Sequence, residues 1–301
     1  MEKGSTYRVH GITLESELEL PELLPAPPPP TPPQAHLRVG RVDPAGLEGG
    51  RQLGPFTWAA PGALSFCVPQ VARFLVRAGE EIVVDPYPGI DADSVRVFLL
   101  GSALGALCFQ RGTVVLHGNA VRVGDGCLVC VGPPGAGKST LAAELMRRGH
   151  PVLSDDLVPF DAECRALPGM PRLKLLPDAL ERLNLPTGDL RPIRPDLAKF
   201  NLPLGEAFSP DRLPIRWIYV LSRGPRDFCI EPVRGMDRLP LLRDNTYRLH
   251  YLEGMQLEAE HLRACGRLAG SCYLSIVRLP VDKIGPEELV DHLLADIGTS
   301  C

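Results

Sequence analysis

The chain has 301 residues, 45% of them hydrophobic and 23% charged, with a formal net charge of −4. That balance belongs to a folded globular protein with core enough for one large or two ordinary domains. It excludes a broad nucleic-acid-binding or anionic-membrane surface and leaves room only for local basic patches.

The opening, Met1 to Ile12, has no apolar core of the kind a secretory signal carries. The longest apolar run, Val97–Phe109, is too short to span a membrane, so neither nucleic acid nor membrane is an expected partner. Nine scattered cysteines, an odd number in a chain too long to need stapling, suit reduced thiols and a cytoplasmic protein. Cys127 and Cys130 have ligand-like spacing. On a strand, however, i and i+3 face opposite ways, and no second pair completes a zinc site, so both are expected in the core.

Residues 1–90 read as a β-rich N-terminal portion. Tyr7–Ile12, Leu37–Val42, Ala63–Val68, Ala72–Arg77 and Glu81–Val84 are short extended runs bounded by Gly, Pro and Asp. Pro21–Pro33 cannot be helical and reads as a stiff, polyproline-like connector. Residues 91–301 read as a second domain. It opens with a helix over Asp91–Arg111, capped by Asp91 or Asp93 and apolar nearly all round, hence buried.

The informative stretch is 113–158. Gly132, Pro133, Pro134, Gly135, Ala136, Gly137, Lys138 and Ser139 satisfy G-x-x-x-x-G-K-[ST], the phosphate-binding loop, with Thr140 next in line. Cys127–Val131 reads as the strand before it. Ser139–Arg148 reads as the helix after it, with Leu141/Leu145 and Ala142/Met146 on one face. The glycines let backbone N–H groups turn inward, and the helix start adds its unpaired donors. Lys138 can reach β- and γ-phosphates, and Ser139 offers a hydroxyl to Mg²⁺. Lys138 is also the only lysine between Lys3 and Lys174 in an arginine-rich chain.

Asn119–Val123 and Cys127–Val131 flank Gly124-Asp125-Gly126, which predicts a tight antiparallel hairpin with Val123 facing Cys127. Asn119 then faces Val131, and His117 comes level with the loop. After the helix, stopped by Gly149, His150–Ser154 predicts a short strand that delivers Asp155 and Asp156 to the phosphate site. Two carboxylates there can hold Mg²⁺ and take a proton from an attacking hydroxyl.

Further on, Arg172–Leu176 reads as a strand leading into a helix at Asp178–Leu183, and Ile215–Ser222 as a buried strand paired with Phe228–Pro232. Arg238–Leu252, interrupted by Pro240, and Gln256–Leu268 read as helices, Cys272–Leu279 as a strand and Pro286–Ile297 as a terminal helix. Arg172, Lys174, Arg243 and Arg248 are the candidates for an additional cation on a transferring phosphoryl group.

Leu116-His117-Gly118, the loop Gly132–Ser139, Arg148-Gly149-His150 and Ser154-Asp155-Asp156 together resemble the core of bacterial HPr kinase/phosphorylase. The resemblance implies an α/β fold of the HPr kinase/phosphoenolpyruvate carboxykinase type, with a mixed sheet and a P-loop, and a serine kinase using ATP and Mg²⁺. It implies that Asp155 is the general base, that His117 orients it, and that Asp156 holds Mg²⁺ with Ser139. It also implies a homo-oligomer. The family's glutamate-x-arginine-glycine signature is absent, Leu167–Pro171 standing in its place, so HPr itself does not carry over as the substrate.

Tyr7–Leu23 and Gly101–Val121 are similar to HPr-kinase-related proteins found with peptide natural-product genes, some of which phosphorylate a C-terminal serine of lasso-peptide precursors. The expected partner is therefore a peptide or protein carrying an acceptor serine. A small-metabolite kinase and a nucleotide-binding regulator without phosphotransfer are the alternatives.

Overall fold

The computed structural model describes residues 4–26, 32–183, 190, 192–194, 197–224, 227–280 and 284–299. The chain forms two compact units, residues 1–115 with 247–263, and residues 116–246 with 264–301. The division falls at Val115/Leu116 instead of near residue 90.

The first unit contains nine strands: β1 (Ser5–Val9), β2 (Ile12–Ser16), β3 (Leu24–Pro25), β4 (Ala35–Val39), β5 (Arg51–Gly54), β6 (Thr57–Ala60), β7 (Ala63–Val68), β8 (Ala72–Arg77) and β9 (Glu81–Pro86). They form one sheet in the order β3-β1-β2-β4-β9-β8-β7-β6-β5. Of the proline-rich stretch, residues 27–31 lie outside the described residues, and Leu24–Pro25 pairs with β1.

Helix α1 (Ala92–Gln110) starts at Asp91, whose carboxylate accepts from the Ser94 N–H at 2.7 Å. It buries Leu99, Leu100, Ala103, Leu104 and Leu107 and packs on β8. Its length and apolarity would suffice to cross a membrane, but most of it is buried as the core helix of this unit. That packing is why the division comes after the helix: an apolar helix must cover something, and the sheet before it is what it covers.

The second unit is organised around β10 (Val114–Val123), β11 (Gly126–Val131), helix α2 (Lys138–Arg147) and β12 (Val152–Phe160). β10 and β11 pair antiparallel, with Val123 opposite Gly126 and Gly118 opposite Val131, one residue off the expected register. The turn is the two residues Gly124-Asp125, with Gly124 at φ 59, a two-residue connection of the kind that suits twisted strands. Gly126 is the first residue of β11, and the Arg216 stem packs over it, so that a Cβ there would meet Arg216 Cδ at 2.5 Å.

β12 lies beside β10, with the Arg122 N–H donating to the Pro151 carbonyl at one end and His117 against Asp156 at the other. It therefore runs antiparallel to β10, and β11–α2–β12 is a crossover with β10 inserted between its strands.

The rest of the unit is β13 (Arg165–Ala166), β14 (Arg172–Leu175), α3 (Pro177–Arg182), β15 (Pro192–Arg194), β16 (Leu197–Pro203), β17 (Leu213–Gly224), β18 (Cys229–Pro232), α4 (Arg238–Asp244), β19 (Tyr273–Pro280) and α7 (Pro286–Thr299). α5 (His250–Met255) belongs to the first unit, and α6 (Glu258–Ser271) runs across the division.

The main sheet has the order β11-β10-β12-β13-β17-β19-β18, and a further β11–β17 pairing closes the first five strands into a ring. β17 is parallel to both β11 and β19, so the sheet is mixed; β14, β16 and β15 form a separate small sheet. β18 pairs with β19 and not, as expected, with β17, because both edges of β17 are already taken. Pro240 does not break its helix, since it sits in the first turn of α4, where a missing N–H costs little. The break comes at Asn245–Leu249, where Arg248 has φ 44.

Helix α2 packs against α7. The fully buried Glu144 of α2 accepts from Arg147 Nε at 2.8 Å and Arg148 Nε at 2.7 Å, and those arginines reach on to Glu287 and Asp291 of α7. Gly149, at φ 88, ends the helix as expected. The eight described cysteines are free. Cys127 and Cys130 are buried in the sheet, and burial pushes the Cys130 thiol up to about 12, the behaviour of core cysteines.

Candidate active site

The loop after β11 needs its glycines. Gly132 has φ 142, and a Cβ on it would lie 2.5 Å from the Leu221 carbonyl oxygen of the parallel neighbour β17. Gly137, at φ 98, is the N-cap of α2. Lys138 is the first helical residue, and its Nζ donates to the loop carbonyls of Gly132 at 2.7 Å and Pro133 at 3.2 Å. Its ammonium thus rests on the rim of the loop. Burial lowers its pKa, with Asp156 and Asp155 opposing.

His117 and Gly118 sit where β10 passes the end of β11. The His117 N–H is held by the Asn245 carbonyl at 2.8 Å, and Leu116 bridges Thr246. Gly118 is obligatory, since a Cβ would meet the Cys130 carbonyl at 2.3 Å. The His117 Nδ1–H donates to the Asp156 backbone carbonyl at 3.1 Å. Burial and the charge of Lys138 lower the imidazole's pKa, Asp156 working the other way.

Asp155 and Asp156 are not at the end of a strand. β12 runs through them, and Asp156 adopts φ 67. Successive side chains on a regular strand face opposite ways, and a left-handed residue, which Asp tolerates, breaks that alternation. Here both carboxylates reach Lys174 of β14. The Lys174 backbone N–H donates to Asp155 Oδ2 at 2.7 Å, and its Nζ donates to Asp156 Oδ2 at 2.6 Å. The Ser154 hydroxyl donates to the Leu157 carbonyl, bracing the kink.

The two carboxylates have different surroundings. Asp155, 6% exposed, accepts at Oδ1 from Asn119 Nδ2 and from the Ser139 hydroxyl, the latter at 3.4 Å. Burial, with Asp156 adding, pushes it up to about 6. Burial also works against the Asp156 carboxylate. Lys174, with Lys199 and His117 behind it, outweighs that and holds it well below the usual range.

A cavity of about 600 Å³ has His117, Lys138, Asp156, Lys174, Lys199 and Arg223 around it, and Asp155 lies behind its wall, against Ser139. Of the chain's five lysines, Lys138, Lys174 and Lys199 point to this one space. Such a concentration of cations suits a polyphosphate.

No family model matches the chain, and no curated protein matches it. Among solved structures, it is similar to the HPr(Ser) kinase/phosphatase from Coxiella burnetii, over 62% of this chain and 97% of that one, at 14% identity and a TM-score of 0.29.

Of the residues expected at the site, Pro134, Gly135, Gly137, Lys138, Ser139, Thr140, His117 and Asp156 line the cavity, and Asp155 reaches Ser139 from behind its wall. It adds Asn119, 1% exposed, whose amide holds Asp155 and whose Oδ1 has no partner among the described residues. Of the cation candidates, Lys174 lines the cavity. Arg172 is buried against Asn201 and Met170, Arg243 ends α4, and Arg248 lies over Tyr247 and Tyr251 in the first unit. Lys199 and Arg223 were not anticipated. Being a lysine in a chain nearly free of them was the one signal that marked Lys199.

The cradle fits a nucleoside polyphosphate: Gly132, Gly135 and Gly137 all have positive φ, and Lys138 is poised beside them. The Ser139 hydroxyl beside the Asp155 carboxylate fits Mg²⁺, which takes one or two protein oxygens and completes its shell with phosphate and water.

Proposed function

We propose that this protein is a kinase that uses ATP and Mg²⁺ to phosphorylate a serine of a peptide or protein. The observation that carries the reading is the meeting, in one cavity, of Lys138 of the phosphate loop, a carboxylate facing the same space, and two further lysines. A nucleotide switch needs only the first. Transfer to a hydroxyl also needs a proton acceptor and charge to match the transferring group.

In this reading Lys138 binds the β- and γ-phosphates, and Ser139 and Asp155 hold Mg²⁺, which supplies charge neutralisation. Asp156, on the cavity wall, takes the proton of the acceptor hydroxyl. His117 fixes the Asp156 backbone from the adjacent strand, and Lys174 and Lys199 face the developing phosphate charge. This division reverses the one the resemblance implied, for a geometric reason. Asp155 is buried behind Ser139 and does not line the cavity, whereas Asp156 does, with its Oδ2 held by Lys174 Nζ at 2.6 Å. Leu176, 48% exposed on the cavity wall, gives a polypeptide acceptor an apolar contact beside the site.

The test is transfer from γ-labelled ATP with Mg²⁺ to peptides encoded beside this gene, including any precursor ending in serine, with HPr and free serine as further acceptors. The expected result is label on a peptide serine with wild type and none with Asp156→Asn. Label on free serine alone would make the enzyme a small-metabolite kinase. No label on any acceptor, with ATP binding intact, would make it a regulator.

A further inference from the structure

Strand β17 runs alongside the phosphate loop and past it. Val220 pairs with Val131, the last residue of β11, and the Leu221 carbonyl lies against Gly132. Two residues further, the Arg223 side chain turns back over the loop: its Nη2 lies 3.6 Å from the place a Cβ on Gly137 would take. On its other edge β17 stays paired with β19 as far as Gly224, with Arg223 opposite Leu279. The backbone that carries this arginine is therefore held by a strand on that side. Arg223 is an exposed residue, yet it lines the same cavity as Lys138 and Ser139.

The cations around the cavity serve different ends of it. Lys174 is tied to Asp156, so it stands on the acceptor side. Lys138 rests on the Gly132 and Pro133 carbonyls of the loop. Arg223 stands on the loop side as well, against Gly137. It also borders Thr140 and Leu279 on a side of α2 that His117, Asp156, Lys174 and Lys199 do not reach.

In phosphoryl transfer the bond from the acceptor oxygen to the γ-phosphorus forms, and the bond from that phosphorus to the β–γ bridging oxygen breaks. The hydroxyl proton goes to Asp156, and the electron pair of the broken bond stays on the β-phosphate of the leaving diphosphate. Negative charge therefore grows on the loop side as the reaction proceeds. A cation placed there gains more from the transition state than from the bound substrate. A guanidinium keeps its charge at any working pH and offers a planar fork of N–H donors to neighbouring phosphate oxygens.

We infer that Arg223 is a catalytic residue of this site, the cation that β17 supplies in cis to the leaving diphosphate. The inference rests on the kinase reading above and names a residue for the half of the reaction that Asp156 and Lys174 do not serve. Its signature is a loss in rate that exceeds the loss in nucleotide affinity.

Two measurements on the full chain test it. Calorimetry with Mg²⁺ compares ADP with ADP plus aluminium fluoride, which takes the place of the transferring phosphoryl group. Wild type should bind the combination at least about a hundredfold more tightly than ADP alone. Arg223→Ala should lose most of that gain and weaken ADP itself by no more than about tenfold. In single-turnover transfer from γ-labelled ATP to the peptide serine that wild type labels, Arg223→Ala should be slower by about 10²-fold at saturating ATP. Arg223→Lys keeps the charge without the fork and should recover part of that loss, as should free guanidinium ion added to Arg223→Ala. A gain from aluminium fluoride that Arg223→Ala keeps, or a rate at saturating ATP equal to wild type, would overturn the inference. So would a loss that neither Arg223→Lys nor guanidinium ion restores, which would make the side chain structural. Wild type that binds ADP but neither gains affinity with aluminium fluoride nor transfers label would instead sink the kinase reading. No binding of ADP at all would sink the nucleotide reading beneath it.

Discussion

Among the described residues, the first unit buries His10, His261 and four serines as its polar groups, while the second buries Glu144, Asp155 and Arg172, with Asn119 beside them. Every fully buried carboxylate and guanidinium is therefore in the second unit. Ionised groups are costly to bury unless paired and hydrogen-bonded. Glu144 is paired twice over, by Arg147 and Arg148, which is a structural solution. Among the described residues Asp155 accepts from Asn119, Ser139 and the Lys174 N–H. Burial and the neighbouring Asp156 charge weaken its acidity, and the Lys174 N–H only partly offsets them. His10 in the first unit takes the opposite course: it stays neutral, with both ring nitrogens unpaired and its pKa lowered by burial to about 4. The contrast separates a core that tolerates one awkward histidine from a site that keeps an incompletely compensated carboxylate beside a phosphate loop.

The largest expected effect is on the second unit's chemistry. Lys138→Ala should slow phosphoryl transfer by about 10³-fold or more, read in single-turnover assays, with little change in melting temperature. A loss in stability as large as the loss in rate would turn Lys138 into a structural residue.

In the first unit, the sign follows from His10. Its folded pKa of about 4 lies below the ordinary 6.5, so between those values the unfolded chain holds the proton and the folded one does not. Its contribution is intact above pH 6.5 and is lost as pH falls toward 4, by about 3 kcal/mol at the limit. Urea unfolding at pH 7 and pH 4.5 should show this fall in wild type and a smaller one in His10→Asn, a residue that accepts the φ of 52 there.

Two loop glycines then sharpen the account of the cradle. Gly132→Ala should cost about 2–3 kcal/mol because its Cβ has no room against Leu221. Gly135→Ala, at φ 79 with nothing within 4 Å of the added carbon, should cost only about 1 kcal/mol from backbone strain. Equal melting shifts for the two would contradict the close approach to β17. A comparably modest effect is expected at Asn119→Ala, which loosens Asp155 and should lower the transfer rate about tenfold with ATP affinity kept.

What could be read from the chain alone was what is local. The strand Gly126–Val131, the glycine-rich turn after it and the helix Lys138–Arg147 depend on neighbours a few residues away, and they stand within a residue of where their pattern put them. The hairpin was one residue out because Gly126 looks like turn chemistry, and nothing nearby in the chain shows that it pairs with Val123 under the Arg216 stem, ninety residues on. The aspartates were expected at a strand end, and nothing in Asp-Asp announces that the strand continues through a left-handed residue. Lys174 and Lys199 reach the cavity from β14 and β16, so their meeting is a product of topology that no spacing encodes. The apolar helix was legible as buried, but not as the cover of the sheet before it, and that moved the division between the units.

The most direct test of the central claim, that the two adjacent carboxylates divide the work, is the Mg²⁺ dependence of transfer for Asp155→Asn and Asp156→Asn. The geometry predicts that Asp155→Asn raises the Mg²⁺ concentration required and recovers part of its rate when Mg²⁺ is raised, because its partner is Ser139. Asp156→Asn should lose its rate at every Mg²⁺ concentration. The opposite pattern, with Asp156→Asn rescued by Mg²⁺ and Asp155→Asn not, would return the proton to Asp155 and contradict this account of the site.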